Sequence, residues 1–161
     1  AHQNDAPDKS EWIMTPFTVN ACYNPSANDI TFPAAILQSP LYDVNASREE
    51  NLGGIGYIIA HEITHAFDNN GAKFDENGSA ADWWTAEDAE KFNAKAKVLV
   101  AQFDEVEVVP GVHANGQLSL GENIGDHGGL SIAYTAMRNA IAGKLAPTFE
   151  ISNHKYGNSS Q

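Results

Sequence analysis

Residues 55–67 read Ile-Gly-Tyr-Ile-Ile-Ala-His-Glu-Ile-Thr-His-Ala-Phe, and within them His61-Glu62-Ile63-Thr64-His65 fits the pattern H-E-x-x-H. The stretch belongs to an apolar-periodic segment that opens at Ser47-Arg48-Glu49-Glu50, where serine and glutamate have capping-box spacing. It runs to about Phe67, and Asn70-Gly71 stops it, so a helix over about 48–68 is predicted. Positions four apart on a helix sit about 40° apart around the axis and about 6 Å along it. Both imidazoles therefore reach one ion from the same face. Glu62 lies beside them, where a carboxylate can take a proton from water that zinc acidifies toward neutrality. Hydrolysis is the reaction these groups suit. A closed structural zinc site fits poorly, because such sites usually draw on thiolates and the one cysteine, Cys22, falls in a predicted strand.

Outward from this helix the 161 residues read as one domain or a piece of one, with composition ordinary for a soluble globular chain. Phe17–Tyr23 alternates as a strand does, and turn residues 24–29 lead to a second short run, Ile30–Phe32, closed by Pro33. This predicts a hairpin over 17–33. A second helix is predicted over about 86–104, opened by Thr85 and carrying Ala89, Phe92, Ala96, Leu99, Val100 and Phe103 at helical spacing. A turn-rich connection with Pro110-Gly111 and Asn115-Gly116 precedes a third helix over about 120–142, periodic through Ile124, Leu130, Tyr134, Met137 and Ile141. A polar tail occupies 153–161. The fold class is α+β, helix-dominated, with a small antiparallel hairpin or sheet.

Charge and cysteine content narrow the function classes. Twenty-one acidic against nine basic residues give a net charge of -12, which repels phosphate backbones and anionic lipid and so argues against nucleic acid and membrane surfaces as partners. No apolar run approaches the roughly 20 residues of a bilayer span, and the opening residues hold no signal peptide. One cysteine forbids an internal disulfide.

Two histidines leave a catalytic metal site one protein ligand short. The metzincin pattern would need Gly at 68 and His at 71; Asp68 and Gly71 stand there, which excludes that class. The other solution takes a carboxylate from a second helix, and Glu122 in Gly121-Glu122-Asn123-Ile124-Gly125-Asp126 is the candidate. Ser119-x-x-Glu122 is equally a capping box, in which Glu122 would turn back to the Ser119 amide. Asp126, one turn later on the same face, favours the ligand reading, because a carboxylate there could accept the spare N–H of a zinc-bound imidazole. Gly125, Gly128 and Gly129 either let this helix approach the first closely or end it early.

Three blocks, His61-Glu-Ile-Thr-His-Ala-Phe-Asp68, Gly121-Glu-Asn-Ile-Gly-Asp-His-Gly-Gly-Leu130 and Val19-Asn-Ala-Cys-Tyr-Asn-Pro-Ser-Ala-Asn-Asp-Ile-Thr-Phe-Pro-Ala-Ala-Ile-Leu37, occur in one order and spacing. Together they resemble the neprilysin and endothelin-converting-enzyme family of zinc metallopeptidases, particularly its bacterial oligopeptidase O branch. The likeness runs from about Trp12 to Arg138. It implies a thermolysin-like (gluzincin) zinc peptidase core, here incomplete at both ends, so that 1–161 is a single partial catalytic domain. It implies one zinc ion per chain held by His61, His65 and Glu122, with Glu62 as general base and Asp126 and Asp68 orienting the two histidines. It implies further that Asn20 and Ala21 lie along an edge strand and bind the backbone of a peptide substrate, in keeping with strand addition beside a hairpin.

Departures from the family pattern carry their own expectations. Glu-Asn-Ile-Gly-Asp stands for the usual Glu-Asn-Ile-Ala-Asp, and Cys22 stands where an aromatic is common, as an apolar filler or a thiol near zinc. His127 is expected to pack or face solvent, His113 to hydrogen-bond in a loop, His2 and His154 to be solvated, and Trp83-Trp84 to belong to the core. Family enzymes are several times longer and carry, downstream, a histidine that stabilises the oxyanion and an arginine that engages substrate; the tail from Ala142 matches neither block. The sequence therefore predicts an endopeptidase acting on small peptides, with low activity for this chain by itself, and the rival is a zinc-binding fragment without turnover. Self-association through surface left exposed is also expected. Eukaryotic members of the family it resembles are disulfide-rich ectoenzymes, so with a single cysteine the resemblance implies a bacterial type, cytoplasmic or exported.

Overall fold

The computed structural model describes residues 12–143; the 153–161 tail, His2 and His154 lie outside them. Ser47 opens helix α1, Arg48–Gly53: its hydroxyl accepts the Glu50 amide at 3.1 Å, and the Glu50 carboxylate accepts the Ser47 amide at 2.8 Å. The helix predicted as continuous is two. Gly54 takes φ -91° and ψ -101°, and α2 starts afresh over Ile55–His65. The break has a steric cause: the Leu41 carbonyl occupies the space that a Cβ at residue 54 would fill, and it accepts the Ile55 amide at 2.7 Å. The helix also ends earlier than predicted. Past His65 the buried Asp68 accepts the amides of Asn70 at 2.6 Å and Gly71 at 2.7 Å, drawing the chain out of helical register.

Helix α3, Ala86–Asp104, is capped by Thr85, whose hydroxyl accepts the Asp88 amide at 3.1 Å. Its apolar stripe from Ala89 to Phe103 is half-buried or buried. Helix α4, Leu120–Ile141, departs from the expected pattern: its buried face is Leu120, Asn123, Gly125, Gly129 and Ala133, while Leu130, Tyr134 and Ile141 are exposed. Small residues face α2, the element α4 packs against most extensively, so the larger apolar side chains fall on the opposite face. The glycines do not end the helix. A Cβ at Gly125 would stand 2.8 Å from Cε1 of His61, one at Gly128 would collide with the Thr64 side chain, and one at Gly129 would stand 3.1 Å from the His61 amide nitrogen. They let the two helices meet at the histidines.

Strands β1, Cys22–Asn24, and β2, Asp29–Thr31, form an antiparallel hairpin with Tyr23 opposite Ile30. The paired segment is shorter than the alternation over 17–23 suggested: the Thr18 amide bonds the Thr15 carbonyl and turns the chain at 16–17, and the partner strand ends at Thr31, shortly before Pro33, which has no N–H to donate. Asn20 and Ala21 consequently precede β1 rather than lie on it. Ala21, Ile36 and Ile55 pack with Phe32, Leu41 and Ile58, fixing the hairpin to α2. A second hairpin, β3 over Glu107–Val109 and β4 over Val112–His113, lies where the sequence suggested only a connection. Pro110 and Gly111, the latter at φ 79°, make its two-residue turn. The fold is α+β and helix-dominated. Trp83, expected in the core, is exposed, its indole N–H donating to the Phe74 carbonyl at 2.8 Å; Trp84 is half-buried against Phe92.

Candidate metal centre

Helix α2 puts His61 and His65 one turn apart on one face, and their Nε2 atoms stand 2.9 Å from each other. Helix α4 contributes Glu122, whose Oε2 lies 3.4 Å from His61 Nε2 and 3.7 Å from His65 Nε2. Glu122 does not cap its own helix: the Ser119 side chain makes no capping bond and its hydroxyl donates instead to the Asn115 carbonyl at 3.2 Å. Three ligands bound tetrahedrally at about 2.0–2.1 Å from an ion stand roughly 3.3 Å apart. The three separations, 2.9, 3.4 and 3.7 Å, scatter about that value, and two imidazoles with one carboxylate are a donor set that suits zinc. The residues present fit the ion the sequence implies.

The far side of each imidazole meets a carboxylate. His61 Nδ1 lies 3.0 Å from Asp126 Oδ1, and His65 Nδ1 lies 2.8 Å from Asp68 Oδ2. An N–H on each Nδ1 pointing at its carboxylate leaves Nε2 as the lone-pair atom, so both rings present that lone pair toward Glu122. The Asp68 hydrogen bond, above all, pushes the His65 pKa up, against the opposing effect of burial. Burial works against the Asp68 charge too, but the His65 hydrogen bond and the Gly71 and Asn70 amides outweigh it and hold its carboxyl below the usual range.

Glu62, about 100° around α2 from His61, lines the same cleft beside β1 and is 6% exposed. Burial raises its pKa, while the neighbouring His65 and His61 and the Tyr23 amide restrain the rise. A carboxylate kept buried yet partly compensated is suited to accept a proton. An open cleft of about 450 Å³ runs past these groups, with Asn20, Ala21, Cys22 and Tyr23 on one wall and Leu118 and Glu122 on the other. Asn20 is exposed at this wall and Ala21 is buried behind it. The half-buried Cys22 thiol is pushed up, first by burial and then by the Glu62 charge.

The other described histidines, His113 and His127, do not line the cleft. His127 is exposed on α4, and His113 is exposed on β4 with Nδ1 3.0 Å from the Asp104 carbonyl. The sequence reading missed Tyr57. Its hydroxyl donates to Asp126 Oδ1 at 2.5 Å, and burial, followed by that bond, pushes its pKa up to about 12. The available signal was its place four residues before His61, on the same helical face.

The sequence pattern described as Peptidase family M13 matches residues 20–156. The match starts later than Trp12 and runs past Arg138, where the sequence reading ended it. The neutral endopeptidase of Lactococcus lactis subsp. cremoris is 52% identical over 132 residues, which are 82% of this chain and 21% of that protein. Human neprilysin is 44% identical over 154 residues, 92% of this chain and 20% of that protein. Among solved structures, the Mycobacterium tuberculosis zinc metalloprotease in complex with inhibitor superimposes with a TM-score of 0.82 at 48% identity, covering 89% of this chain and 23% of that one. The chain thus spans about a fifth of the length of the relatives it matches. With a family match over most of its length and identities of this size, the chain belongs to peptidase family M13.

Proposed function

We propose that this chain carries the catalytic centre of a zinc endopeptidase, part of a larger catalytic domain, with His61, His65 and Glu122 holding one zinc ion and Glu62 as the general base. The observation that carries the reading is the convergence of three ligating atoms from two helices, within 4.8 Å of one another, beside a buried glutamate. Bound there, zinc would supply Lewis acidity toward a peptide carbonyl and toward water. The Glu62 carboxylate takes the proton of the attacking water and delivers it to the departing amine nitrogen. Asp126 and Asp68 keep the imidazoles in the one orientation and tautomer that presents Nε2.

The substrate in this reading is a peptide in extended form. Among the described residues β1 pairs only with β2, and the Tyr23 amide is drawn toward Glu62, so the other edge of β1 runs beside the general base. A strand added along that edge, with Asn20 and the backbone of Ala21 hydrogen-bonding it, places its carbonyls in the cleft. No described helix is long and apolar enough to cross a membrane. Leu130, Tyr134 and Ile141, exposed on α4, are the surface through which self-association would occur.

A quenched fluorescent peptide tests the activity. Cleavage should appear with zinc, stop on chelation and return when zinc is restored. Cleavage indifferent to chelation, in protein shown to have lost its metal, would reject the reading.

A further inference from the structure

Tyr57 and His61 are four residues apart on α2 and leave the helix on one face. The same oxygen of Asp126, Oδ1, receives the Tyr57 hydroxyl at 2.5 Å and stands 3.0 Å from His61 Nδ1. Phenol–carboxylate bonds this short are charge-assisted and strongly directional. Asp126 needs such an anchor: its side chain is 60% exposed, and among the described residues only Tyr57 and His61 hold its carboxylate. The Tyr57 ring reaches this place because residue 129 is glycine; a Cβ there would lie 3.1 Å from Tyr57 Cε2.

We propose that Tyr57 is a positioning residue of the metal site, its hydroxyl fixing the Asp126 carboxylate so that Asp126 in turn fixes the His61 ring. Without the hydroxyl, Asp126 is tied to His61 alone on a solvent-exposed side chain. Its carboxylate then samples other rotamers, and the His61 lone pair is less often directed at the ion. A partner of the imidazole itself typically contributes about 10- to 100-fold to metal affinity. One step further out, the Tyr57 hydroxyl should contribute about 3- to 10-fold.

The competing explanation is that Tyr57 only fills space between α2 and α4 and satisfies its hydroxyl on the nearest acceptor. A double-mutant cycle read in zinc affinity separates the two. Apparent zinc dissociation constants are measured by competition with a chromophoric chelator for the wild-type chain, Tyr57→Phe, Asp126→Ala and the double variant. Tyr57→Phe keeps the ring and should weaken zinc binding about 3- to 10-fold, whereas in the Asp126→Ala background the same change should have no effect. Wild-type affinity in Tyr57→Phe, or the same loss in both backgrounds, overturns the proposal. If Asp126→Ala does not fold, exchange of the His61 Nδ1 proton with water in metal-free wild type and Tyr57→Phe decides: faster exchange in the variant supports the role, and an unchanged rate overturns it. The inference rests on the zinc reading above. A wild-type chain that binds no zinc removes both, while a zinc-binding wild type with an unaffected Tyr57→Phe removes only this one.

Discussion

Oδ2 of Asp68 lies 2.8 Å from Nδ1 of His65, while Oδ1 of the same carboxylate accepts the amides of Asn70 and Gly71. One buried side chain therefore ends the helix and aims a histidine. Asp68→Ala removes both functions and leaves two amides and an imidazole without their acceptor. It should cost about 3 kcal/mol or more in the metal-free protein and weaken zinc binding about 10- to 100-fold. Chemical denaturation and chelator competition on the same variant check both. A loss of affinity with unchanged stability would show that the amides have another acceptor.

The same pair sets a pH dependence of opposite sign for stability and for metal. The His65 pKa is raised in the fold, so its contribution is fully present below about 6.5 and is lost as pH rises through the raised value. The Asp68 pKa is lowered, so its contribution is present above about 3.9 and is lost as pH falls through the lowered value. The metal-free protein should have its highest melting temperature between those limits. Zinc requires the neutral imidazole, so zinc affinity should go on rising with pH beyond 6.5, where metal-free stability declines. An affinity already flat at about pH 6.5 would contradict the raised His65 pKa.

Glu122 should behave differently from Asp68. Its side chain is 72% exposed and makes no cap, so Glu122→Ala should leave metal-free stability within about 0.5 kcal/mol of wild type. Zinc affinity should nonetheless fall by orders of magnitude, since one of three protein ligands is gone. Thermal melts with and without zinc distinguish this from a structural role: wild type should gain several degrees from zinc and the variant little.

Gly125→Ala tests the close approach of the helices. Alanine is about 1 kcal/mol better than glycine inside a helix, yet its Cβ would meet Cε1 of His61 at 2.8 Å. Either the helices separate or the ring moves, at a cost of about 1–3 kcal/mol. A net loss of stability, with weakened zinc binding, is expected in denaturant titrations. A more stable variant that binds zinc normally would show that His61 yields freely.

The parts of this structure set by local chemistry were legible in the sequence. Ser47 and Glu50 announce a helix start, Thr85 another, and the spacing of His61 and His65 follows from helical geometry alone. What tertiary contact decides was not. The Leu41 carbonyl that splits the first helix at Gly54 is thirteen positions upstream, and the local breaker signal, Gly53-Gly54, was overridden by the apolar periodicity around it. On α4, periodicity marked Leu130, Tyr134 and Ile141 as inward, but α2 selects the face of small residues instead. Whether Glu122 capped its helix or turned to the histidines also depended on a neighbour, α2, that spacing alone does not place. Tyr57 was missed for the same reason: its acceptor is 69 residues away. The second hairpin is a different case, because Val-Val-Pro-Gly-Val over 108–112 carried a local turn signal that the flanking polar residues obscured.

The central claim is that Glu62 does proton chemistry beside a metal held by other residues, and Glu62→Gln tests it most directly. Glutamine has the shape of glutamate without its basicity, and Glu62 is not among the three converging ligands. The measurement is kcat/KM on a fluorescent peptide together with zinc content, for wild type and Glu62→Gln prepared alike. The account predicts equal zinc and a loss of at least about 100-fold in kcat/KM. Full zinc with unchanged turnover would contradict it.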